Sequence, residues 1–174
     1  PSAPAAIAVA SPQLIALVDA LHTPAYILDR HWDALAWNRQ ATALFEGWLP
    51  RRRMAQAKAQ QVAPNLLRYV FLHPQAPRLI VDWENRAQRL VAEYRADTAA
   101  WRDDPVRQGF VDELRRASPV FNAAWQSQQV LSREGGSRAF SHSRLGRCEY
   151  EQVTLRVAQQ PDLKLVALVQ VSNN

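Results

Sequence analysis

The strongest constraint on the fold is an alternation of apolar and polar residues near the C-terminal end of the chain. The segment from Cys148 to Val157 alternates, with Val153, Leu155 and Val157 on one side and Thr154 and Arg156 on the other. After a turn at residues 160–162, a second alternating segment follows from Leu163 to Val171. Antiparallel strands with one buried face explain this alternation. Ser137 to His142 is a candidate third strand.

The N-terminal part of the chain predicts two more strands. Two short apolar runs, Ala25–Leu28 and Ala34–Trp37, flank a polar turn and predict a β-hairpin. A lone hairpin is marginally stable, so it must join the C-terminal strands in one sheet. We therefore predict an α+β fold, a PAS-like antiparallel sheet with helices packed on one face.

Helices fill the rest of the pattern, and most have a recognisable N-cap residue. The predicted starts are Ser11, Asn38, Asn65, Asp104 and Ser118. The clearest helix is predicted from Pro77 to Ala100, with one apolar stripe formed by Leu79, Ile80, Trp83, Ala87, Leu90, Val91 and Tyr94. The helix after Asp104 is expected to turn Val106, Phe110, Val111 and Leu114 inward.

Length and charge bound the class of protein. A chain of 174 residues fits one domain, and its single cysteine, Cys148, excludes an intrachain disulfide. We expect a cytoplasmic protein with no membrane span. The net charge of +5 is scattered, and its one cluster, Arg51 to Arg53 with Lys58, favours a solvated segment over a phosphate contact.

Residues that would form a catalytic or metal site are not grouped in the sequence. His22, His31, His73 and His142 are far apart and have no metal-ligand spacing. No phosphate-binding loop or nucleophile elbow is present. Cys148 beside Arg147 is more simply a small strand residue than a reactive thiol. We therefore predict neither an enzyme nor a bound cofactor or metal.

Several stretches taken together resemble a known family. They occur in the order Pro24–Leu28, Leu35–Asn38, Asn65–Pro74, Asp82–Glu84, Ser118–Phe121 with Trp125, and Phe140–His142 followed by Gly146. In order and spacing they resemble the MmyB-like ligand-binding domain, from about Pro24 to about Gln170. The chain departs from the family pattern at Gln129 and Ser143, where the family tends to have an acidic or His residue and a proline.

The resemblance implies a PAS-like fold with a pocket for a small apolar molecule such as a fatty acid. It also implies that DNA binding belongs to an XRE-type helix-turn-helix domain at the N-terminus of the regulator. We accordingly assign residues 1–10 to a linker from that domain and residues 11–174 to the PAS-like ligand-binding domain. We expect a homodimer, with Leu14, Val18 and Leu21 as a possible contact stripe.

A pocket of this kind needs an apolar lining and a few polar anchors. The candidate ligand-binding residues are Trp37, Arg68, Phe71, Trp83, Phe121, Trp125 and His142. The aromatic residues are more simply explained as plain core, and His142 as a hydrogen-bonded structural histidine. Arg68 lies in an apolar run and needs a carboxylate, either a ligand's or, as we favour, the protein's own Asp82 or Glu84.

Other functions stay open from the sequence. A PAS-like domain can act purely as a protein-interaction or dimerisation module, which would have a filled core. Nucleic-acid binding through Arg51 to Lys58 ranks third, and a small-molecule enzyme last.

Overall fold

The computed structural model describes residues 8–51, 62–128 and 136–171. Its sheet has five antiparallel strands in the order β2-β1-β5-β4-β3. The strands are β1 Ala25–Leu28, β2 Ala34–Trp37, β3 Ser137–His142, β4 Gly146–Arg156 and β5 Lys164–Val169. The hairpin therefore joins the C-terminal meander through β1 and β5, which confirms the predicted α+β, PAS-like sheet.

The described residues form seven α-helices and one 3₁₀ turn, Ala99–Trp101. The α-helices are α1 Pro12–Ala20, α2 Arg39–Leu44, α3 Leu66–Leu72, α4 Ala76–Leu79, α5 Trp83–Asp97, α6 Pro105–Ala117 and α7 Pro119–Ser127.

The five predicted N-caps are confirmed. Ser11, Asn38, Asn65, Asp104 and Ser118 each accept a hydrogen bond from a backbone N–H in the first turn of the following helix. These bonds satisfy amides that have no partner inside the helix.

The single helix predicted from Pro77 to Ala100 is wrong, because the chain breaks between α4 and α5. The Val81 amide donates to the Ala139 carbonyl of β3 at 3.1 Å, and Ile80 forms a bridge with Phe140. Asp82 then adopts a left-handed conformation with φ of 52°. Since β3 is the edge strand, this extended segment covers the edge, and that long-range pairing overrides the helical pattern.

Helices lie on both faces of the sheet, which refines the prediction of one face. Helix α1 packs on the outer face, where Val18 is fully buried in a cluster with Ile27 and Leu165. The other helices share a cluster with the inner-face residues Tyr26 and Val166. The stripe of Leu14, Val18 and Leu21 contacts the sheet of its own chain. It therefore does not support the expected homodimer, which stays a prediction.

Two predicted inward faces are corrected. On β4 the alternation is present, but Val153 and Leu155 are 42% and 54% exposed because α1 covers only the other strands of the outer face. On α6, Val106 is exposed and Arg107 is buried in its place, where its Nε donates to Thr98 Oγ1 at 2.7 Å. Val111 and Leu114 are buried as predicted.

Candidate functional site: a cavity between α5 and the sheet

A large cavity separates α5 from the inner face of the sheet. Its volume is about 1190 Å³, slightly above the range of about 300–1,000 Å³ that is usual for ligand sites. The cavity exists because the break at residues 80–82 brings the chain onto the edge of β3, so that α5 begins away from the strands. Residues from α5 form one wall, and residues from β1, β3, β4 and β5 form the opposite wall.

Much of the wall is apolar, and it is formed by residues from elements far apart in the sequence. They are Leu28, Phe45, Val70, Ile80, Leu90, Phe140, Val166 and Leu168. All eight are buried. An apolar molecule in contact with these residues would gain free energy by burying its own apolar surface.

The remainder of the wall is strongly charged. Six cationic residues line the cavity, Arg86, Arg89, Arg95, Arg138, Arg156 and Lys164. Three acidic residues accompany them, Asp82, Glu93 and Asp97. The lining therefore carries an excess of positive charge, which favours an anionic group in the cavity.

One acid, Asp97, is already neutralised by the protein. Its carboxylate accepts from Lys164 Nζ at 2.8 Å and from Trp32 Nε1 at 2.9 Å, and it also pairs with Arg156. Burial by itself would raise the pKa of Asp97, but these donors outweigh it and hold the pKa at about 2. Burial lowers the pKa of Lys164, against the pull of Asp97.

The arginines at the β3 end of the cavity are less well compensated. Arg86 pairs with Glu93 at 3.3 Å. Arg138 donates to Gln152 Oε1 at 3.1 Å and to the Ser137 carbonyl at 2.9 Å, and both acceptors are uncharged. Within the described part of the chain, no carboxylate forms an ion pair with Arg138. Burial, reinforced by Arg86, lowers the pKa of Arg138 to about 10.

The seven residues predicted to bind ligand lie elsewhere. All are described, and none lines this cavity. Trp37 donates its Nε1–H to the Pro50 carbonyl at 2.8 Å, and Trp83 donates to the Val70 carbonyl at 2.9 Å. Phe71, Phe121 and Trp125 form ring contacts with centroids 5.1 and 5.8 Å apart. As ligand-binding residues they remain untested. Trp37 and Phe121 belong to the core, whereas Phe71, Trp83 and Trp125 are partly buried against it, and Trp125 also lines a smaller cavity of about 540 Å³.

Arg68 forms an ion pair inside the protein, as favoured from the sequence, but with a different partner. Its guanidinium bonds both carboxylate oxygens of Glu113, at 2.8 and 3.3 Å, rather than Asp82 or Glu84. It also lies over the Phe110 ring, 4.9 Å from the centroid. The pair is partly exposed on the outside of the helical layer. The hydrogen bond from Arg68 lowers the pKa of Glu113.

His142 has a structural explanation. Its Nδ1 accepts hydrogen bonds from the amides of Arg144 and Leu145, both at 3.1 Å, and its Nε2 lies 2.8 Å from the Ala43 carbonyl. The imidazole therefore holds the β3–β4 turn against the end of α2. Its ring nitrogens are occupied, so it has little capacity left for a ligand.

Sequence reasoning missed Tyr26, Arg86 and Arg138. A signal for Arg138 was present, because it falls on the same face of the predicted strand as Phe140, and an arginine there must face the helical layer. Arg86 lies four positions after Asp82, a spacing that by itself indicates only an ion pair on the flank of a helix. Of the basic cluster, Arg51 is exposed, and Arg52, Arg53 and Lys58 lie outside the described residues.

A PAS-like sheet that faces its helices across a large cavity is the architecture of a ligand-binding sensory domain. The chain belongs to the family described as the MmyB-like transcription regulator ligand binding domain, whose profile matches residues 10–173. Its role is thus ligand sensing in transcription regulation. A comparison with curated proteins found no match.

None of the helices in the described residues is both long and apolar enough to cross a bilayer. The described His, Cys, Asp and Glu side chains form no group of three or more that could hold a metal ion.

Proposed function

We propose that this domain binds a small, largely apolar molecule of the fatty-acid type in the cavity between α5 and the sheet. Binding would modulate DNA recognition by a helix-turn-helix domain on the N-terminal side of residue 11. The observation that carries the proposal is the cavity itself, with its eight buried apolar residues and its volume of about 1190 Å³.

A route from the cavity to α1 supports the regulatory part. Phe45, at the end of α2, lines the cavity, and Asn38 begins the same helix. The Asn38 side chain donates to the carbonyls of Val18 and Thr23, at 3.1 and 2.8 Å, and accepts from the Ala25 amide at 3.1 Å. A ligand that favours one position of α2 would therefore also favour one position of α1.

Regulation of this kind requires unequal affinity for two states of the protein. The direction of the effect on DNA affinity depends on which position of α1 the ligand favours. Hydrogen exchange of the α1 amides, measured with and without dodecanoate, tests the route. We expect slower exchange in α1 when the ligand is bound, and unchanged exchange would contradict the route.

The binding itself is tested first by native mass spectrometry of the purified chain. Organic extraction then identifies any compound that is released. We expect an apolar compound near one equivalent per chain, or saturable binding of added dodecanoate.

A substitution that fills the cavity provides the specific test. Ala92 lies on the cavity wall in α5, and Ala92→Phe would occupy space that a ligand needs. We expect at least a tenfold loss of dodecanoate affinity, because a buried ring and an acyl chain cannot share the volume. Isothermal titration calorimetry measures the loss. The matched control is Ala117→Phe at the exposed end of α6, which should bind normally.

An interaction module without a ligand is the second candidate function. The observation in its favour is the exposed apolar surface of Val153, Leu155 and Val169 on the outer face of the sheet. It predicts a clean apo mass, together with no thermal shift from fatty acids or other apolar metabolites. That result would overturn the ligand proposal.

A further inference from the structure

At the charged end of the cavity, two arginines have too few carboxylate partners, and binding of an apolar group would not compensate their charge. Arg86 and Arg138 both line this end, from α5 and β3, and between them they have one carboxylate partner among the described residues, Glu93. The Glu93 side chain is 46% exposed, so water weakens its compensation of Arg86. A guanidinium that is partly removed from water is costly unless an anion accompanies it.

Arg138 is the clearer of the two arginines. It is largely buried, yet its acceptors among the described residues are the amide oxygen of Gln152 and the carbonyl of Ser137. Neither supplies a negative charge, and the carboxylates of Glu93 and Glu151 act on Arg138 without forming an ion pair with it. Its five N–H donors form a planar fork that matches a carboxylate in two-point geometry.

Tyr26 supplies an independent observation. Its side chain belongs to β1, is 96% buried and lines the same cavity. Its ring is fixed by edge contacts with Phe45 and Trp48, but its hydroxyl makes no hydrogen bond to another described residue. Burial raises the pKa of Tyr26, while the charges of Arg138 and Arg86 act in the opposite direction. The hydroxyl therefore stays protonated and is a free donor.

We infer that Arg86, Arg138 and Tyr26 together anchor the anionic head group of the ligand. The anion adds the missing negative charge beside the two arginines and accepts the Tyr26 hydroxyl proton. Its apolar body extends along Phe45, Phe140 and Leu168. The inference rests on the proposed function, because it names the chemistry of the same cavity.

The other cations of the cavity do not fit this role. Arg156 and Lys164 already share Asp97. Arg95 donates to the Trp125 carbonyl and lies over the Trp125 ring, 4.5 Å from its centroid. Arg89 also interacts with another group, so the least compensated charge lies at the end of the cavity near β3.

The test compares three probes that have the same twelve-carbon chain, below their micellar concentrations. They are dodecanoate, dodecanol and dodecyltrimethylammonium, and calorimetry measures each with the unmodified chain. We expect dodecanoate to bind about tenfold or more tightly than dodecanol, which is the usual size of a lost charge-assisted hydrogen bond. The cationic probe should bind most weakly.

Substitutions then assign the preference to the anchor. Arg138→Gln should lower dodecanoate affinity by about tenfold and leave dodecanol affinity within about twofold. Tyr26→Phe keeps the ring and should cost dodecanoate about threefold. Arg147→Gln is the matched control, because Arg147 is exposed and pairs with Glu149 on β4. If Arg138→Gln does not fold, Arg138→Lys should keep a preference for the anion that is weaker than that of the unmodified chain.

The outcomes separate the anchor from the cavity. If dodecanoate and dodecanol bind equally well, both to the unmodified chain and to Arg138→Gln, the cavity is a ligand site but the anchor is wrong. If none of the probes binds and no compound copurifies, the proposed function itself fails.

Discussion

The two sides of α5 differ in how they are filled. On the side facing α3 and α7, Phe71, Trp83 and Phe121 close on one another through edge contacts with centroids 5.1 and 6.2 Å apart. On the side facing the sheet, the helix borders a cavity of about 1190 Å³ with arginines in its wall.

The comparison teaches that a high density of aromatic residues does not by itself indicate a ligand site. The aromatic side of α5 needs no second molecule to complete it. Its rings pack against one another, and the Trp83 Nε1–H donates to the Val70 carbonyl. The cavity side combines empty volume, an apolar wall and cations without enough acids. Those features together are typical of a site that is completed by a second molecule.

The largest expected effect is a loss of stability from a substitution on the aromatic side of α5. Phe121 is fully buried, so Phe121→Ala should lower the free energy of unfolding by about 3–5 kcal/mol, through lost burial and the void left behind. Urea denaturation measures it. In molecules that remain folded, dodecanoate affinity should stay within about twofold.

The neighbouring control is Val120→Ala, at a position that is 38% exposed. It should cost less than about 1 kcal/mol. A large loss of dodecanoate affinity in Phe121→Ala, beyond the fraction unfolded, would mean that the aromatic side contributes to the site after all.

An intermediate loss of stability is expected from a substitution on the cavity side of α5. Asp97→Asn removes the carboxylate that compensates Lys164 and Arg156, and at neutral pH it should lower the free energy of unfolding by about 2 kcal/mol. The pKa of Asp97 is about 2 in the folded protein against 3.8 unfolded. Its stabilisation is therefore complete above pH 4 and disappears as the pH falls toward 2.

Thermal unfolding between pH 7 and pH 3 measures this dependence. The melting temperatures of the unmodified chain and Asp97→Asn should converge as the pH falls below 4. A difference that stays constant over this range would contradict the role of the Asp97 charge.

The smallest expected effect concerns Arg68. Its pair with Glu113 is partly exposed, so Arg68→Gln should cost less than about 1 kcal/mol in unfolding free energy. Dodecanoate affinity should not change, since Arg68 does not line the cavity. A tenfold loss of affinity would restore Arg68 as the ligand anchor and argue against Arg138.

Most of the fold could be predicted because its signals are local. The N-caps at Ser11 and Asn65, and the bounds of the hairpin from Ala25 to Trp37, follow from side chains within a few residues of each element. The break at Ile80–Asp82 could not be predicted in the same way. It depends on a hydrogen bond from the Val81 amide to the carbonyl of Ala139, which lies 58 positions further along the chain.

The ligand site was less predictable than the fold. The family resemblance led correctly to a ligand-binding domain. Arg68, which interrupts an apolar run, is left open by the sequence between a ligand anchor and an internal ion pair, with the pair favoured. Arg68 points away from the sheet to Glu113. Arg86 and Arg138 come from a helix and a strand that meet only in the folded chain, so nothing in either segment alone marks them as neighbours.

The sequence by itself determined the order of the strands, the period-two alternation of the C-terminal strands, and the membership of a ligand-binding family. Only the tertiary structure decided which face of each element is covered. On β4 the alternation is clear, yet Val153 is exposed outside while Thr154 faces the cavity inside. The physical reason is that alternation is a property of one strand, whereas burial depends on which distant helix covers each face, and how closely.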